Sequence, residues 1–401
     1  MKLIPHDETM MLKTPFYSRC KAACEINMWE DWKGYTSPQA YTEIEKEYFA
    51  VRNATGVFDI SPMMKYRITG PEASEYLNRL VTRDMDKIKV GRVAYAIWCD
   101  DEGKVMDDGT IFRLDQNDYR LCAYARCLDW LMWTADGLDV EIRDETDELA
   151  ALAVQGPTSC TVFKRMGFDG IENLKPFGMM TFPFENSSVM ISRTGFTGDL
   201  GYEIWIEPGL AELFWDALFV AGKLFGIQPI GSYALDMLRT EAGFLQAGVD
   251  FVPAEEAVRI GRSRSPFELG LGWLVSFDKP IFNGRKALVA EKNNGSKYAF
   301  VYLDVEGNKP AEHAFIYLDA KATKEVGTVT TAAWCPTAKS NVAFAQVEAR
   351  YGKVGQELIA EIYYERELKW TRVMAKCTVV DGPAFNPVSY THLRAHETIH
   401  Y

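Results

Sequence analysis

Histidine is scarce in this chain of 401 residues: there are five, and His392, His396 and His400 lie within the final ten positions. A catalytic triad in the main body would depend on His6 or His313. Neither lies near a Gly-x-Ser-x-Gly elbow or near a cysteine suited to act as a nucleophile. The scarcity of histidine therefore argues against a hydrolase.

The last of these histidines belong to the sequence HETIH (396–400), which matches the His-Glu-x-x-His signature of zinc peptidases. Such a site needs a further ligand from downstream, and only Tyr401 follows. We therefore predict no metal site. We interpret residues 389–401 as a non-native tail, which resembles a translated sequencing adapter fused to a truncated metagenomic reading frame.

Paired cysteines, long apolar runs and positive charge are also lacking. The eight cysteines include no Cys-x-x-Cys pair, which argues against a zinc knuckle. No apolar run approaches the roughly 20 residues that span a bilayer, and the N-terminus lacks the apolar core of a signal peptide. A net charge of -12 disfavours phosphate backbones and anionic lipids. We expect a cytoplasmic protein that binds neither nucleic acid nor membranes, with its oligomeric state left open.

Helix and strand patterns are mixed over the first 285 residues. The apolar spacing from Thr42 to Asn53 predicts a helix, and residues 93–114 predict a hairpin. The glycine-rich loop TGFTGDLG (194–201) precedes a strand instead of a helix, which argues against a phosphate-binding loop. From about Lys297, short strands with turn residues between them predict a small antiparallel barrel or sandwich. The sequence therefore predicts an α+β fold with an all-β C-terminal domain.

Carboxylates are the candidate functional groups that remain. Asp107 and Asp108 follow a predicted turn, and neighbouring side chains on a strand point to opposite faces, so only one can face a given cavity. Such a pair is also typical of a turn or a sheet edge. Glu203 lies within the apolar strand YEIWI, where both a solvent-facing position and a ligand contact are possible. Both alternatives stay open at this level.

Seven blocks of sequence resemble, in the same order, the glycine cleavage T-protein superfamily. They are AVRNATGVFDIS (50–61), RITGPEASEYLNRLVTRD (67–84), GRVAYAIWCDDEGKVMDDGTIFRL (91–114), LAVQGP (152–157), SRTGFTGDLGYEIW (192–205), LRTEAGF (238–244) and LGWLVSFDK with FNGRKAL (271–288). The similarity extends over residues 42–385. It implies a tetrahydrofolate-dependent aminomethyltransferase or demethylase, built as a three-lobed ring around a central folate channel.

The resemblance also implies a division of the chain. We expect a folate-binding region over residues 1–285, made of two interleaved α+β lobes, one of them roughly 57–146. We expect a C-terminal antiparallel β-barrel domain over residues 286–388.

Five residues match pocket positions of the superfamily. The resemblance implies that Asp108 is the catalytic carboxylate, placed near N5 of tetrahydrofolate to orient the donor or assist proton transfer. It places Glu203 against the pterin, where a carboxylate can accept two N–H groups at once. Tyr95 and Trp273 would wall the ring, and Arg239 would hold a folate carboxylate or orient Glu203.

The sequence departs from the superfamily at several positions around the donor side. Phe196 replaces a loop tyrosine and Tyr124 replaces a pocket asparagine, and we assign both to the cofactor-binding set. Ala247 replaces another tyrosine. The segment CEINMWEDWKGYTSP (24–38) replaces the MVPFAGW stretch of a true T-protein. Its aromatic side chains are predicted to bind the substrate: Trp29, Trp32 and Tyr35.

These departures disfavour the aminomethyl-lipoyl substrate, and TPFYSR (14–19) resembles the demethylase branch that includes dimethylsulfoniopropionate demethylase. We therefore predict transfer of a methyl group from a small sulfonium, ammonium or methoxy donor to N5 of tetrahydrofolate. One alternative is aminomethyl transfer from a lipoyl carrier protein. The other is a non-catalytic folate-binding regulatory module. Since such carriers are acidic and the net charge here is -12, we do not expect a carrier protein as partner.

Overall fold

A computed structural model describes residues 11–259 and 261–386 of the chain. The HETIH motif and the tail interpretation for residues 389–401 lie outside these ranges. The helices are α1 (Tyr17–Ala23), α2 (Ile44–Asn53), α3 (Ala73–Leu80), α4 (Leu128–Thr134), α5 (Ser159–Arg165), α6 (Ala211–Gly222), α7 (Ser232–Ala242) and α8 (Arg285–Asn294).

The strands form a hairpin, two larger sheets and a barrel. They are β1 (Met28–Trp32), β2 (Tyr35–Ala40), β3 (Thr55–Asp59), β4 (Met64–Thr69), β5 (Arg92–Cys99), β6 (Val105–Asp115), β7 (Asp118–Ala123), β8 (Glu141–Asp144), β9 (Ala150–Gln155), β10 (Met179–Phe184), β11 (Ser187–Ser192), β12 (Gly201–Ile206), β13 (Ile227–Pro229), β14 (Tyr298–Val305), β15 (Phe315–Tyr317), β16 (Glu325–Cys335), β17 (Ser340–Glu348), β18 (Glu357–Arg366) and β19 (Lys369–Val380).

The first lobe is a six-stranded sheet in the order β10-β11-β12-β9-β3-β13. Its neighbours are antiparallel, except that β13 pairs in parallel with β3. Every residue of β9 is buried, as expected for a central strand that is covered on both faces. The helices α1, α5 and α6 cover one face, and Phe214 and Leu218 of α6 join the apolar core there.

The second lobe is a five-stranded antiparallel sheet in the order β5-β6-β7-β4-β8. Its covering helix α3 buries Ala73, Tyr76, Leu77 and Leu80. These positions recur every three or four residues and so form one apolar stripe facing the sheet.

The third lobe is a closed six-stranded antiparallel barrel in the order β14-β17-β16-β15-β18-β19. Closure pairs both edge strands, which leaves no open sheet edge. The predicted α+β class with a C-terminal antiparallel barrel is confirmed.

The three lobes contact one another in pairs. Phe112 of the second lobe packs edge-on against Trp205 of the first, with ring centroids 5.1 Å apart. Phe344 of the barrel joins Val105 and Leu288 in an apolar cluster shared with the second lobe and α8. The helix α7 contacts the barrel, because Arg239 donates to Thr331 of the barrel at 3.2 Å. Pairwise contact of three lobes produces a ring with a central space.

Candidate folate and donor site

The three lobes enclose a cavity of about 1460 Å³. Its wall takes Asp108 and Tyr95 from the second lobe, Glu203 from the first lobe and Tyr302 from the barrel. Pockets for a single drug-sized ligand hold roughly 300–1,000 Å³. This cavity therefore has room for a second ligand group beside a folate.

Asp108 lies on β6 and lines the cavity, whereas Asp107, its neighbour, does not. The Tyr95 hydroxyl donates to Asp108 Oδ2 at 2.8 Å. The Trp273 ring lies 6.4 Å from the Tyr95 ring, and both aromatic side chains line the cavity. The next residue is Gly109, where a Cβ atom would clash with the backbone carbonyl of Cys122. A side chain there would force β6 and β7 apart and displace Asp108.

Glu203 lies on β12 and also lines the cavity. One carboxylate oxygen, Oε2, accepts a hydrogen bond from the Thr194 hydroxyl at 2.6 Å. The loop that follows β11 presents Thr194 at the base of the glycine-rich segment. In the described part of the chain, no lysine or arginine forms an ion pair with Glu203. Its other oxygen is thus available to a ligand N–H group.

Burial raises the pKa of both cavity carboxyl groups. Desolvation raises the pKa of Asp108 to about 6, although the Tyr95 hydrogen bond favours the charged form. Desolvation likewise raises the pKa of Glu203 to about 7, and the Thr194 hydrogen bond opposes that rise. Two carboxyl groups that titrate near neutral pH in one cavity are typical of proton-transfer and ligand-binding sites.

The remaining predicted cofactor residues differ in position. Phe196 lines the cavity and stacks on Phe244, with ring centroids 5.5 Å apart. Tyr124 lines the cavity as well. Arg239 does not line it: the side chain is fully buried, and its guanidinium donates to Asp250 at 2.6 Å and to the carbonyl of Phe244 at 3.0 Å. Arg239 thus contacts the protein where a folate contact was predicted.

One of the three predicted substrate residues lines the cavity. Trp32 lies on its wall and stacks against Tyr124, with ring centroids 6.0 Å apart. Trp29 is three residues earlier on the same strand, and its indole N–H donates to Asn27 at 2.9 Å, away from the cavity. The hydroxyl of Tyr35 donates to Asp147. Side chains alternate along a strand, so Trp29 and Trp32 lie on opposite faces.

The sequence reasoning missed further cavity residues. Glu30 shares the face of Trp32 on β1, and strand alternation was the signal that could have identified it. A basic group also lies on the wall: Arg83, Lys87, Lys89, Arg92 and Lys175. Four of these cations lie within residues 83–92, in the loop before β5 and at its start, and Lys175 comes from the loop before β10.

Two other expectations concern metals and membranes. Within residues 11–259 and 261–386, no group of three or more His, Cys, Asp or Glu side chains could hold a metal ion. In the same ranges, none of the helices is both long and apolar enough to cross a bilayer. The zinc-like motif itself lies beyond these residues.

The ring of two α+β lobes and a barrel, with two carboxylates in its cavity, defines a three-lobed protein with a central ligand site. Residues 21–279 match the GCVT N-terminal domain. Residues 299–385 match the glycine cleavage T-protein C-terminal barrel domain. The chain belongs to the glycine cleavage T-protein family.

Relatives along most of the chain agree with this assignment. The aminomethyltransferase of Halothermothrix orenii is 34% identical over 326 residues, which is 80% of this chain and 88% of that protein. The Bacillus subtilis aminomethyltransferase is 32% identical over 359 residues, 88% of this chain and 95% of that protein. The structure of glycine cleavage system aminomethyltransferase T from Bartonella henselae superimposes with a TM-score of 0.81 at 25% identity, covering 94% of this chain and 98% of that one.

These findings confirm the predicted T-protein fold and the prediction of an enzyme, a one-carbon transferase. They also confirm tetrahydrofolate as cofactor at the level of the family. They do not confirm the finer prediction of a demethylase branch, because these relatives are named aminomethyltransferases.

The expectation that a carrier protein is not a partner is wrong. The related proteins are named aminomethyltransferases, and the similar structure is a glycine cleavage system aminomethyltransferase T. This is the activity that the sequence analysis associated with a lipoyl carrier protein. The error came from net charge, which says nothing about distribution. Although the chain is acidic overall, five cationic side chains lie together on the cavity wall. Local charge governs docking more than the total does.

Replacing Glu203 with glutamine should weaken tetrahydrofolate binding by about tenfold to 100-fold, since one charge-assisted hydrogen bond contributes about 1.5–3 kcal/mol. In the unchanged protein, affinity should rise with pH through about 7, as the carboxyl group ionises. Fluorescence titration between pH 5.5 and 8.5 measures both effects. A pH-independent affinity that equals that of the glutamine variant would contradict the role of Glu203.

The same substitution should raise the melting temperature at pH 8. Because the pKa of Glu203 is raised from 4.5 to about 7 on folding, the folded state binds more protons between these values, and its stability falls as pH rises across them. Glutamine does not ionise, so the variant does not lose this stability as pH rises. The difference in melting temperature between the variant and the unchanged protein should therefore shrink towards pH 4.5. Glu207→Gln, an exposed position beyond the same strand, is the matched control.

Proposed function

We propose that the protein is an aminomethyltransferase that receives its one-carbon unit from a lipoyl carrier. The proposal depends mainly on one observation: Asp108 and Glu203 share a cavity and have no cationic partner among the described residues. The names of the relatives support the choice of donor.

The residues of the cavity fit tetrahydrofolate. The volume of the cavity exceeds what one ligand needs, and aromatic rings line the part that contains Asp108. The free oxygen of Glu203 suits the adjacent N–H groups of a pterin, and Tyr95 and Trp273 would wall the ring. Phe196 and Tyr124 would complete the cofactor contacts. When bound, tetrahydrofolate supplies N5 and N10, which take up the carbon as a methylene bridge while the donor leaves as a free thiol and ammonia.

The chain then has three tasks. Asp108 holds or moves a proton at its carboxylate, and its pKa of about 6 allows both protonation states near neutral pH. Glu203 fixes the orientation of the cofactor. The enclosed wall excludes water and aligns donor with acceptor, which supplies much of the rate in such reactions.

Arg239 has a supporting role in this proposal. Its guanidinium fixes the carbonyl of Phe244, and Phe244 stacks on Phe196 at the cavity wall. The residue thus positions the wall through protein contacts. Trp29 and Tyr35 would act on the same segment by packing rather than by touching the donor.

We also propose the division of the chain into a folate-binding region (1–285), with one lobe roughly over 57–146, and a barrel domain (286–388). The ranges of the two matched domains support this division. A cytoplasmic location is part of the same proposal.

Methyl transfer from a small methylated donor is the second candidate. It is favoured by the stacked Trp32 and Tyr124 on the cavity wall, since Trp32 lies in the segment that departs from a true T-protein and Tyr124 replaces a pocket asparagine. An aromatic wall attracts cationic donors by about 0.5–2 kcal/mol per contact.

Product analysis separates the two candidates. We expect 5,10-methylene-tetrahydrofolate when the protein is incubated with tetrahydrofolate and an aminomethyl-loaded lipoyl carrier, and none with the unloaded carrier. Mass spectrometry of the folate products provides the measurement. If a panel of methylated sulfonium, ammonium and methoxy compounds yields 5-methyl-tetrahydrofolate while the loaded carrier yields no product, the aminomethyl proposal is overturned.

A further inference from the structure

Glu30 occupies an unusual position on the cavity wall. It lies on β1, half-buried, within the segment that replaces the T-protein stretch. Its hydrogen-bonding neighbours are uncharged: Gln39 donates to it at 3.5 Å, and Ser232 lies beside it. Within residues 11–259 and 261–386, Glu30 forms no ion pair. A carboxylate on a cavity wall with no cation of the protein beside it can bind the cation of a ligand.

The surroundings of Glu30 reinforce this reading. An aromatic row lines the cavity next to it: Phe58, Trp32 and Tyr124, with successive ring centroids 5.8 and 6.0 Å apart. Such a row excludes water, and charge interactions are stronger where water is excluded. Burial raises the pKa of Glu30, and the charges of Asp236 and Asp31 act in the same direction. This part of the cavity therefore has a negative potential that a cationic ligand would relieve.

The protein itself shows that the row attracts an ammonium group. The Lys33 ammonium lies 5.2 Å from the centre of the Tyr124 ring, on the turn that follows β1. This cation–π contact is of the kind that a cationic donor would make with the same wall. Lys33 is exposed and pairs with Glu256 at 3.8 Å, so its ammonium does not neutralise Glu30.

The basic residues on the wall come from different segments than Glu30 does. Arg83, Lys87, Lys89 and Arg92 belong to the loop before β5 and to its start, whereas Glu30 lies on the β1–β2 hairpin. Lys87 is partly neutralised by Asp84 at 3.1 Å. The wall thus carries both signs of charge on separate elements, so that an anionic and a cationic ligand group can be bound by different residues.

We propose that Glu30 is a specificity-determining residue, which with Trp32 and Tyr124 selects donors whose transferred carbon is attached to a cationic nitrogen. The inference rests on the proposed one-carbon transfer and specifies its donor. An aminomethyl group on a lipoyl thiol ends in a primary ammonium, and a trimethylammonium donor such as choline ends in a quaternary one. The two sources share the chemistry that Glu30 recognises.

Binding of matched ligand pairs tests the selection without requiring turnover. The first pair is an S-(2-aminoethyl) thioether of dihydrolipoamide and its neutral S-propyl isostere. The second pair is choline and its neutral isostere 3,3-dimethylbutan-1-ol. Dissociation constants are measured by calorimetry with the tetrahydrofolate-loaded protein, Glu30→Gln, and the exposed control Glu25→Gln.

The unchanged protein and Glu25→Gln should bind the cationic member of at least one pair about tenfold more tightly, and Glu30→Gln should abolish that preference. Preference within the thioether pair identifies the lipoyl source, and preference within the choline pair alone identifies a small amine. Glu30→Asp, which retains the charge, should retain part of the preference and provides the test if the glutamine variant fails to fold.

Two results would overturn the inference. One is the absence of any charge preference in the unchanged protein. The other is an equal loss of affinity for cationic and neutral ligands in Glu30→Gln, which is what a merely structural contact with Gln39 would produce. Failure of the proposed function is distinguishable, because it removes the folate product from the turnover assay and leaves these binding preferences readable.

Discussion

Asp108→Asn is expected to lower kcat by roughly 10²- to 10⁴-fold, the range that a positioned acid or base supplies. Asparagine keeps the shape of the side chain and can still accept the hydrogen bond from Tyr95, so tetrahydrofolate binding should change little. What disappears is a carboxyl group with a pKa of about 6 that can both hold and release a proton. Single-turnover kinetics with the loaded carrier, together with a folate titration, separates the loss of rate from binding.

Asp107→Asn is the matched control for this experiment. Asp107 is buried on the opposite face of β6, outside the cavity wall, and among the described residues its Oδ2 has no hydrogen-bond partner. Burial, together with the charge of Asp108, raises its pKa well above the ordinary value. The control should therefore keep most of the rate. If Asp107→Asn lost the rate and Asp108→Asn retained it, the assignment of the catalytic carboxylate would have to be exchanged.

Local structure was predictable because it depends on neighbours in sequence. The helix expected from Thr42 to Asn53 is α2, which begins two residues later at Ile44, and the stripe of α3 follows from its apolar spacing. Strand alternation also predicted that only one aspartate of the pair faces a cavity. Each of these predictions involves residues within one element.

The cavity was not predictable in the same way, because its wall is assembled from three lobes. No local pattern links Thr194 to Glu203 across the glycine loop or places Glu30 on the wall of the same cavity. The aromatic segment shows the limit most clearly. Trp29 and Trp32 are the same residue type, three positions apart in sequence. The strand nevertheless places Trp32 on the cavity wall and Trp29 outside the cavity.

The prediction that no carrier protein binds, which was based on net charge, was wrong for a related reason. A net charge of -12 is a sum over the chain, and docking depends on where the charges lie. Folding brings Lys87 and Lys175, which are far apart in sequence, to the same wall. The total charge therefore could not exclude a carrier protein.

Arg239→Met is expected to destabilise the fold by about 3–5 kcal/mol, the cost of leaving one member of a buried ion pair without its partner. Arg239 and Asp250 have fully buried side chains and lie 2.6 Å apart. Asp250 would keep its contacts with Thr330 at 2.9 Å and Thr331 at 2.6 Å, but its charge would be uncompensated. Urea unfolding of the unchanged protein and the variant measures the difference in free energy.

The double variant Arg239→Met/Asp250→Asn distinguishes an ion-pair role from a direct folate contact. Removing both charges relieves the unpaired carboxylate, so part of the lost stability should return. A direct folate contact predicts something else: the single variant would keep its stability and lose folate affinity. Since Arg239 lies off the cavity and fixes the carbonyl of Phe244, we expect loss of stability first and any effect on affinity to follow from displacement of Phe196. Titrating folate at a temperature where the variant is folded separates the two, because a positioning role leaves the affinity within about tenfold of the unchanged protein.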